Sequence, residues 1–208
     1  MTDIQIVTDH LIALDSPDHL WPHGTKNDNN TNVKFIAEIE ERFRKKISFL
    51  DLGCAGGQLA IDMHSRGHTS VGLEGSDYCV KNKRLNWVNY YQKVLFTCDI
   101  SKCFRIMSDN HLLRFDCITA WEVLEHIHPE RLATFLDNVG KHLKFNGIFL
   151  GSVCSRSDVV NGHELHLAVF SENHWKKKIL GKYFITYDYP LRNSVRNSGN
   201  QLFCARKV

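Results

Sequence analysis

Two groups of residues in this chain have the types and spacing that chemistry requires. The first is Trp121-Glu122-Val123-Leu124-Glu125-His126-Ile127, which sets Glu122, Glu125 and His126 at i, i+3 and i+4. If the segment turns helical, all three project from one face. Two carboxylates packed in a cleft repel unless a proton or a cation separates them. A divalent cation such as magnesium or manganese would do so and would account for the adjacent histidine. A further ligand is available at residues 161–170, which hold His163 and His166. A cation bound to a hydroxyl lowers its pKa and fixes its position. His126 or His166 could then remove the proton, with Glu122 beside them in the reacting cluster.

The second group is a gap rather than a set of side chains. Phe49-Leu50-Asp51-Leu52 runs into Gly53, Gly56 and Gly57, and an apolar stretch resumes at Leu59-Ala60-Ile61. That pattern predicts a strand, a tight turn and a helix. Glycine suits a turn that needs positive φ and close approach of a ligand to the backbone, and the helix start offers unpaired N–H groups to an anionic or carboxylate-bearing ligand. The spacing is Asp-x-Gly-x-x-x-Gly, not the Gly-x-Gly-x-x-Gly of dinucleotide binders. Asp51 would repel a pyrophosphate but would attract the ammonium of an amino-acid moiety. Glu74 closes the next apolar run, where an acid bonds ribose hydroxyls. A nucleoside-type cofactor with an amino-acid arm is therefore expected.

The elements that must position these groups follow from periodicity. Strands are predicted at 47–52, 70–74, 93–97, 115–120, 148–153, 183–188 and 201–206. Helices are predicted at 33–45, 57–66, 77–86, 101–107, 130–143 and 171–180, the first capped by Thr31 or Asn32 with Val33, Ile36, Ala37 and Phe43 on its apolar side. Strands alternating with helices imply a parallel sheet with right-handed crossovers, and a final pair joined without a helix implies an antiparallel last strand. Both chemical groups then fall at the carboxyl ends of strands, where open α/β sheets bind ligands. Residues 1–32 form a lead-in before the single domain at 33–208. It is expected to act as a lid, with Trp21 and His23, together with His163, as acceptor contacts. His64, His68 and His111 are expected at the surface.

The glycine loop Asp51-Leu-Gly-Cys-Ala-Gly-Gly57 and the acid Glu74 resemble those of the class I S-adenosylmethionine-dependent methyltransferases. The resemblance covers about 33–208 and implies a seven-stranded, mostly parallel Rossmann-like sheet with helices on both faces. It implies that Gly53, Ala55 and Gly57 underlie the methionine part of the cofactor and that Glu74 holds its ribose. Asp99 would bond the adenine amino group, Ile100 would pack on the ring, and Trp121 would lie near the sulfur. The Glu-x-x-Glu-His segment with a later histidine resembles two branches, the ubiquinone-pathway O-methyltransferases and the methyltransferases of small-RNA 2′-hydroxyls. That resemblance selects His166 over His163 and implies the ligand set Glu122, Glu125, His126 and His166. The chain is also similar to small methyltransferase domains found beside glycan-building enzymes, including those of large algal viruses.

Bulk properties narrow the function. The 208 residues are enough for one domain with a substantial core. Seven cysteines, odd in number and without a Cys-x-x-Cys pair, argue for reduced thiols and a cytoplasmic setting. No apolar run is long enough to span a membrane. A net charge of +3 does not by itself imply nucleic-acid binding. Lys176, Lys177, Lys178 and Lys182, with Arg192 and Arg196, could meet phosphates, but such a run is usually a solvated helix face. The expected activity is metal-assisted O-methylation of a sugar, glycan or other small vicinal diol by a monomer or homodimer. The alternatives are a 2′-O-methyltransferase acting on a terminal ribose of RNA, a metal-independent small-molecule methyltransferase, and a non-catalytic cofactor-binding regulator.

Overall fold

Phe49 and Leu50 sit side by side in sequence yet belong to different cores, because successive strand residues point to opposite faces. Both are buried, as expected for a parallel strand covered on both sides. The computed structural model describes residues 3–84, 86–187 and 201–207.

In chain order the elements begin with β1 (Ile4–Val7), α1 (Pro17–Leu20), α2 (His23–Asn27), α3 (Val33–Phe43), β2 (Ser48–Leu52) and α4 (Gln58–Ser65). Next come β3 (Thr69–Glu74), α5 (Tyr78–Lys81), α6 (Trp87–Tyr90), β4 (Leu95–Thr97), β5 (Arg105–Ser108), β6 (His111–Leu112) and β7 (Phe115–Trp121). Then follow α7 (Leu132–His142), β8 (Leu143–Val153), β9 (Val159–Val160), β10 (His163–Glu164), α8 (Glu172–His174), β11 (Ile185–Tyr187) and β12 (Gln201–Arg206). The main sheet has seven strands in the order β11-β12-β8-β7-β2-β3-β4. Strand β12 runs antiparallel to both neighbours, and the remaining pairs are parallel. This is the predicted seven-stranded, mostly parallel α/β fold with an antiparallel last strand.

One face of the sheet packs Leu50, Leu52, Leu73, Ile118 and Phe149 against Phe135 and Val139 of α7 and against Trp175. The other packs Phe49, Cys117 and Leu150 against Phe35, Ile36 and Ile39 of α3 and Met63 of α4. Asn32 caps α3 by accepting from the Phe35 N–H at 3.0 Å. Of the predicted apolar side Val33, Ile36, Ala37 and Phe43, the helix buries Ile36 and packs the partly buried Phe43, adds Phe35 and Ile39, and leaves Val33 and Ala37 exposed. The helix meets the sheet one residue further round than periodicity suggested.

Three other expectations are corrected. Residues 101–107 are not a helix. Arg105–Ser108 form a strand pairing antiparallel with β1, so local propensity yields there to a partner a hundred residues upstream. His68 is not at the surface. It is 3% exposed, its Nδ1 accepts from the Ile47 N–H, and its Nε2 meets Glu40 at 3.2 Å. The helical run after Ser171 is not one α-helix. It passes from α8 into a wider turn at Trp175–Ile179 and a tight one at Leu180–Lys182. Lys177 and Lys178 on it are exposed, and Lys176 pairs with Glu172 at 2.7 Å. Arg192, Arg196 and the loop at 190–200 lie outside the described residues. Among the described residues, no helix is long and apolar enough to cross a membrane. All seven cysteines are free thiols, and six of them are buried.

The lead-in does not hang apart from the domain. Strand β1 pairs with β5, the Asp99 N–H donates to the His10 carbonyl, and the Ala13 N–H donates to the Gly75 carbonyl. Residues 9–32 thus run as a strap across the carboxyl edge of the sheet.

Candidate active site

Strands β2, β3, β4, β7 and β8 all end at this edge, and the strap roofs it. Between them lies a cavity of about 430 Å³, a size that suits a small-molecule ligand. Asp51, Gly53, Ala55, Glu74, Asp99, Ile100, Trp121 and Glu122 line it, as do His126 and His166. From the strap, Asp15, Asp18, His23 and Thr25 contribute.

At one end is the glycine loop. Gly53 and Gly57 adopt φ of +69° and +84°, which is the glycine-favouring conformation expected of the turn. The close approach at these positions is made by the protein itself. A Cβ on Gly53 would meet Val123 at 2.5 Å, and one on Gly57 would meet Leu95 at 2.5 Å. Glu74 is buried; its carboxylate accepts from the Ala55 N–H at 2.8 Å, the Ser76 N–H at 3.0 Å and the Thr25 hydroxyl at 3.3 Å. Burial raises its pKa, and the two N–H donors work against that rise. Asp51 accepts from the Thr119 hydroxyl at 2.7 Å, and Asp99 accepts from the Ser101 N–H and hydroxyl. Trp121 meets Phe35 edge-on, 5.4 Å between ring centres.

The other end holds the acidic and histidine cluster. Glu122 does not continue a helix. Its φ is +55°, in the left-handed region that is costly for a side chain of this kind. The tight turn begins only at Leu124–His126. Glu122 therefore leaves the i, i+3, i+4 face, and its carboxylate accepts from the Ser152 hydroxyl. Glu125, His126 and His166 come together, with one ligand atom of each within 4.8 Å of the others. The predicted four-ligand set thus appears as three, with Glu122 beside it on the cavity wall. The cause is the backbone turn at Glu122, which side-chain spacing does not reveal.

Glu125 is fully buried. Its Oε1 accepts from the Cys154 N–H at 2.7 Å, while its Oε2 is buried without a hydrogen-bond partner among the described residues. Burial, and then the charge of Glu122, push its pKa up to about 8. An orphaned carboxylate oxygen beside two histidines is a donor set that fits a hard or borderline divalent cation. Both rings are oriented through Nδ1: His126 lies 3.1 Å from the Leu165 carbonyl, and His166 lies 2.5 Å from the Arg156 carbonyl. That arrangement turns the Nε2 atoms away from those carbonyls, and His166 Nε2 lies 4.0 Å from Asp158 Oδ2. Burial, then neighbouring His166, lower the pKa of His126 to about 4, so its ring is neutral at pH 7.

Sequence reasoning expected the lead-in to act as a lid but missed which of its residues, Asp15 and Asp18, reach the site. Asp18 Oδ2 lies 3.1 Å from His126 Nδ1, and Asp15 makes a two-pronged pair with Arg131. Asp15-Ser-Pro-Asp18 carries only a turn signal, and nothing local tells which strand end it will meet. Trp21 and His163 stack on each other at 4.5 Å and are not among the residues lining the cavity, whereas His23 is.

A family model described as "Methyltransferase domain" matches residues 25–193. The chain belongs to this family. Its fold is that of the class I S-adenosylmethionine-dependent methyltransferases. Among curated relatives, the chain is 26% identical over 140 residues to the ubiquinone biosynthesis O-methyltransferase of Rickettsia typhi, covering 62% of this chain and 51% of that one. It is 31% identical over 115 residues to the enzyme of the same name from Idiomarina loihiensis, covering 55% and 44%. The chain thus spans about half the length of the curated relatives it matches. Among solved structures, it resembles the 1,6-didemethyltoxoflavin-N1-methyltransferase of Burkholderia thailandensis with a TM-score of 0.61 at 17% identity, covering 91% of this chain and 84% of that one.

Proposed function

We propose that this methyltransferase transfers the methyl group of S-adenosylmethionine to a hydroxyl oxygen of a sugar or other small vicinal diol, assisted by a divalent cation. The observation that carries this reading is the Glu125 Oε2, unpartnered among the described residues, next to His126 and His166, two histidines in the wall of the cavity that the glycine loop also lines. The relatives named for ubiquinone biosynthesis O-methylation support oxygen as the accepting atom and a small molecule as the acceptor.

The donor end would be held by this chain's own groups. The loop at Gly53–Gly57 would underlie the amino-acid arm, Glu74 would face the ribose, and Asp99 with Ile100 would take the base. Glu125, His126 and His166 would hold the cation, magnesium or manganese. When bound, that ion would draw in two neighbouring hydroxyls and lower the pKa of the reacting one. The bound donor would supply the methyl group: the acceptor oxygen would form the new bond to its methyl carbon as the carbon–sulfur bond breaks, with S-adenosylhomocysteine as the leaving group. Glu122 lines the cavity beside the ligand cluster and takes the hydroxyl proton. His126 is not free for that step because its lone pair would be spent on the cation. Holding donor and acceptor in line supplies most of the rate gain.

The test is methyl transfer from labelled donor to a panel of glycans, catechols and RNA ends, with and without chelator. Chelation should abolish activity and added manganese should restore it. Glu122→Gln should lower kcat while leaving manganese affinity intact, whereas Glu125→Gln should lose both. Activity that survives exhaustive chelation contradicts the cation, and activity confined to RNA ends replaces the proposed acceptor.

A further inference from the structure

The strap touches both ends of the cavity at once. Thr25 donates to Glu74 at the donor end. A few residues earlier, Asp18 reaches His126 at the acceptor end. The strap is anchored on either side of Asp18, by the Asp15–Arg131 pair and by the Gly56 N–H donating to the Asp28 carbonyl at 3.1 Å.

The contact falls on a particular atom. Asp18 Oδ2 and the Leu165 carbonyl lie each 3.1 Å from His126 Nδ1. The Leu165 carbonyl accepts from that nitrogen, with the Asp18 carboxylate in contact beside it, so the proton sits on Nδ1 and Nε2 is the lone-pair atom. His166 is set the same way by the Arg156 carbonyl. A carboxylate or carbonyl on the far nitrogen is how a ligating histidine is oriented and made more basic. For His126 part of that support comes from a segment that must also lie closed over the donor end.

We propose that Asp18 is a positioning residue that orients His126 for the cation, so that the acceptor end is complete only when the strap is seated. This inference rests on the cation reading above and extends it to the strap. It separates donor binding, which needs the glycine loop, from cation binding, which needs the loop's neighbours and the strap together. Asp18 touches His126 and not the reacting atoms, so its effect should be on affinity and order.

The experiment is a manganese titration of the whole chain by calorimetry, with amide hydrogen exchange followed over residues 16–28. Asp18→Ala should weaken manganese roughly 10-fold or more, the usual effect of removing such a supporting partner. Asp18→Asn keeps an oxygen acceptor of the same size and should recover most of the loss. Manganese should slow exchange across 16–28 in the wild type and not in Asp18→Ala. S-adenosylhomocysteine affinity should be unchanged in both variants, which shows that they are folded. Equal manganese affinity in wild type and Asp18→Ala, with Glu125→Gln unable to bind, overturns the role of Asp18 and leaves the cation reading standing. Equal loss in the Ala and Asn variants, or loss of S-adenosylhomocysteine binding with it, also overturns it. A wild-type chain that takes up no manganese overturns both.

Discussion

The two ends of the cavity are built on different terms. At the donor end, the polar groups described are answered by the chain itself: Glu74 accepts three hydrogen bonds, Asp99 two, and Asp51 one from Thr119. At the acceptor end, Glu125 keeps a buried oxygen without a hydrogen bond among the described residues, Glu122 sits at a costly φ, and both Glu125 and His126 are shifted far from their ordinary pKa. The contrast is one of hydrogen bonding rather than of strain, since Ala55 in the glycine loop also sits at a positive φ, +47°, and burial raises the pKa of Glu74 there too. A site that only binds can be satisfied in advance, while one that must ionise a hydroxyl is left poised for a ligand.

The largest expected effect breaks the acceptor end alone. His166→Ala or Glu125→Gln should lower methyl transfer on the order of 100-fold, since a cation's stabilisation of a developing oxyanion amounts to several kcal/mol. Labelled-methyl assays at saturating donor check this, and activity near wild type would show that the cluster is structural.

A smaller effect strikes the donor end. Gly53→Val combines a clash with Val123 and a β-branched residue at φ +69°. It should cost about 1–3 kcal/mol of stability and weaken donor affinity by a similar factor, read by thermal melts and calorimetry. Unchanged affinity would mean that the loop does not carry the donor.

The smallest effect concerns protons. Burial and Glu122 raise the pKa of Glu125 to about 8, so at pH 6 this carboxyl is protonated in the folded chain. An acid whose folded pKa is raised contributes stability below its unfolded pKa, and this is lost as pH rises through the folded value. A cation competes with that proton, whereas His126 is already neutral and offers none. The rise in Tm on adding manganese should therefore grow from pH 6 to pH 8. A pH-independent rise would place the cation elsewhere.

The sequence made the donor end legible because one continuous segment, Phe49–Ile61, carries strand, turn and helix start together. The parallel sheet and its antiparallel last strand followed from the alternation of apolar runs. Glu125, His126 and His166 were legible as chemistry, but the departure of Glu122 was not, because it depends on a backbone torsion at the strand's end. The strap was legible as a lid but not in its pairings. Strand β1 and Asp18 acquire meaning only through β5 and His126, far along the chain, and no local pattern announces such pairings. Residues 101–107 failed for the same reason.

The most direct measurement is a paired calorimetric titration of His166→Ala and the wild type, first with S-adenosylhomocysteine and then with manganese. The two ends are separate constructions, so S-adenosylhomocysteine affinity should stay within about twofold, as for independent sites, while manganese binding disappears. Manganese binding that persists undiminished, or donor affinity that collapses with it, would contradict the division of the cavity into a satisfied donor end and a poised acceptor end.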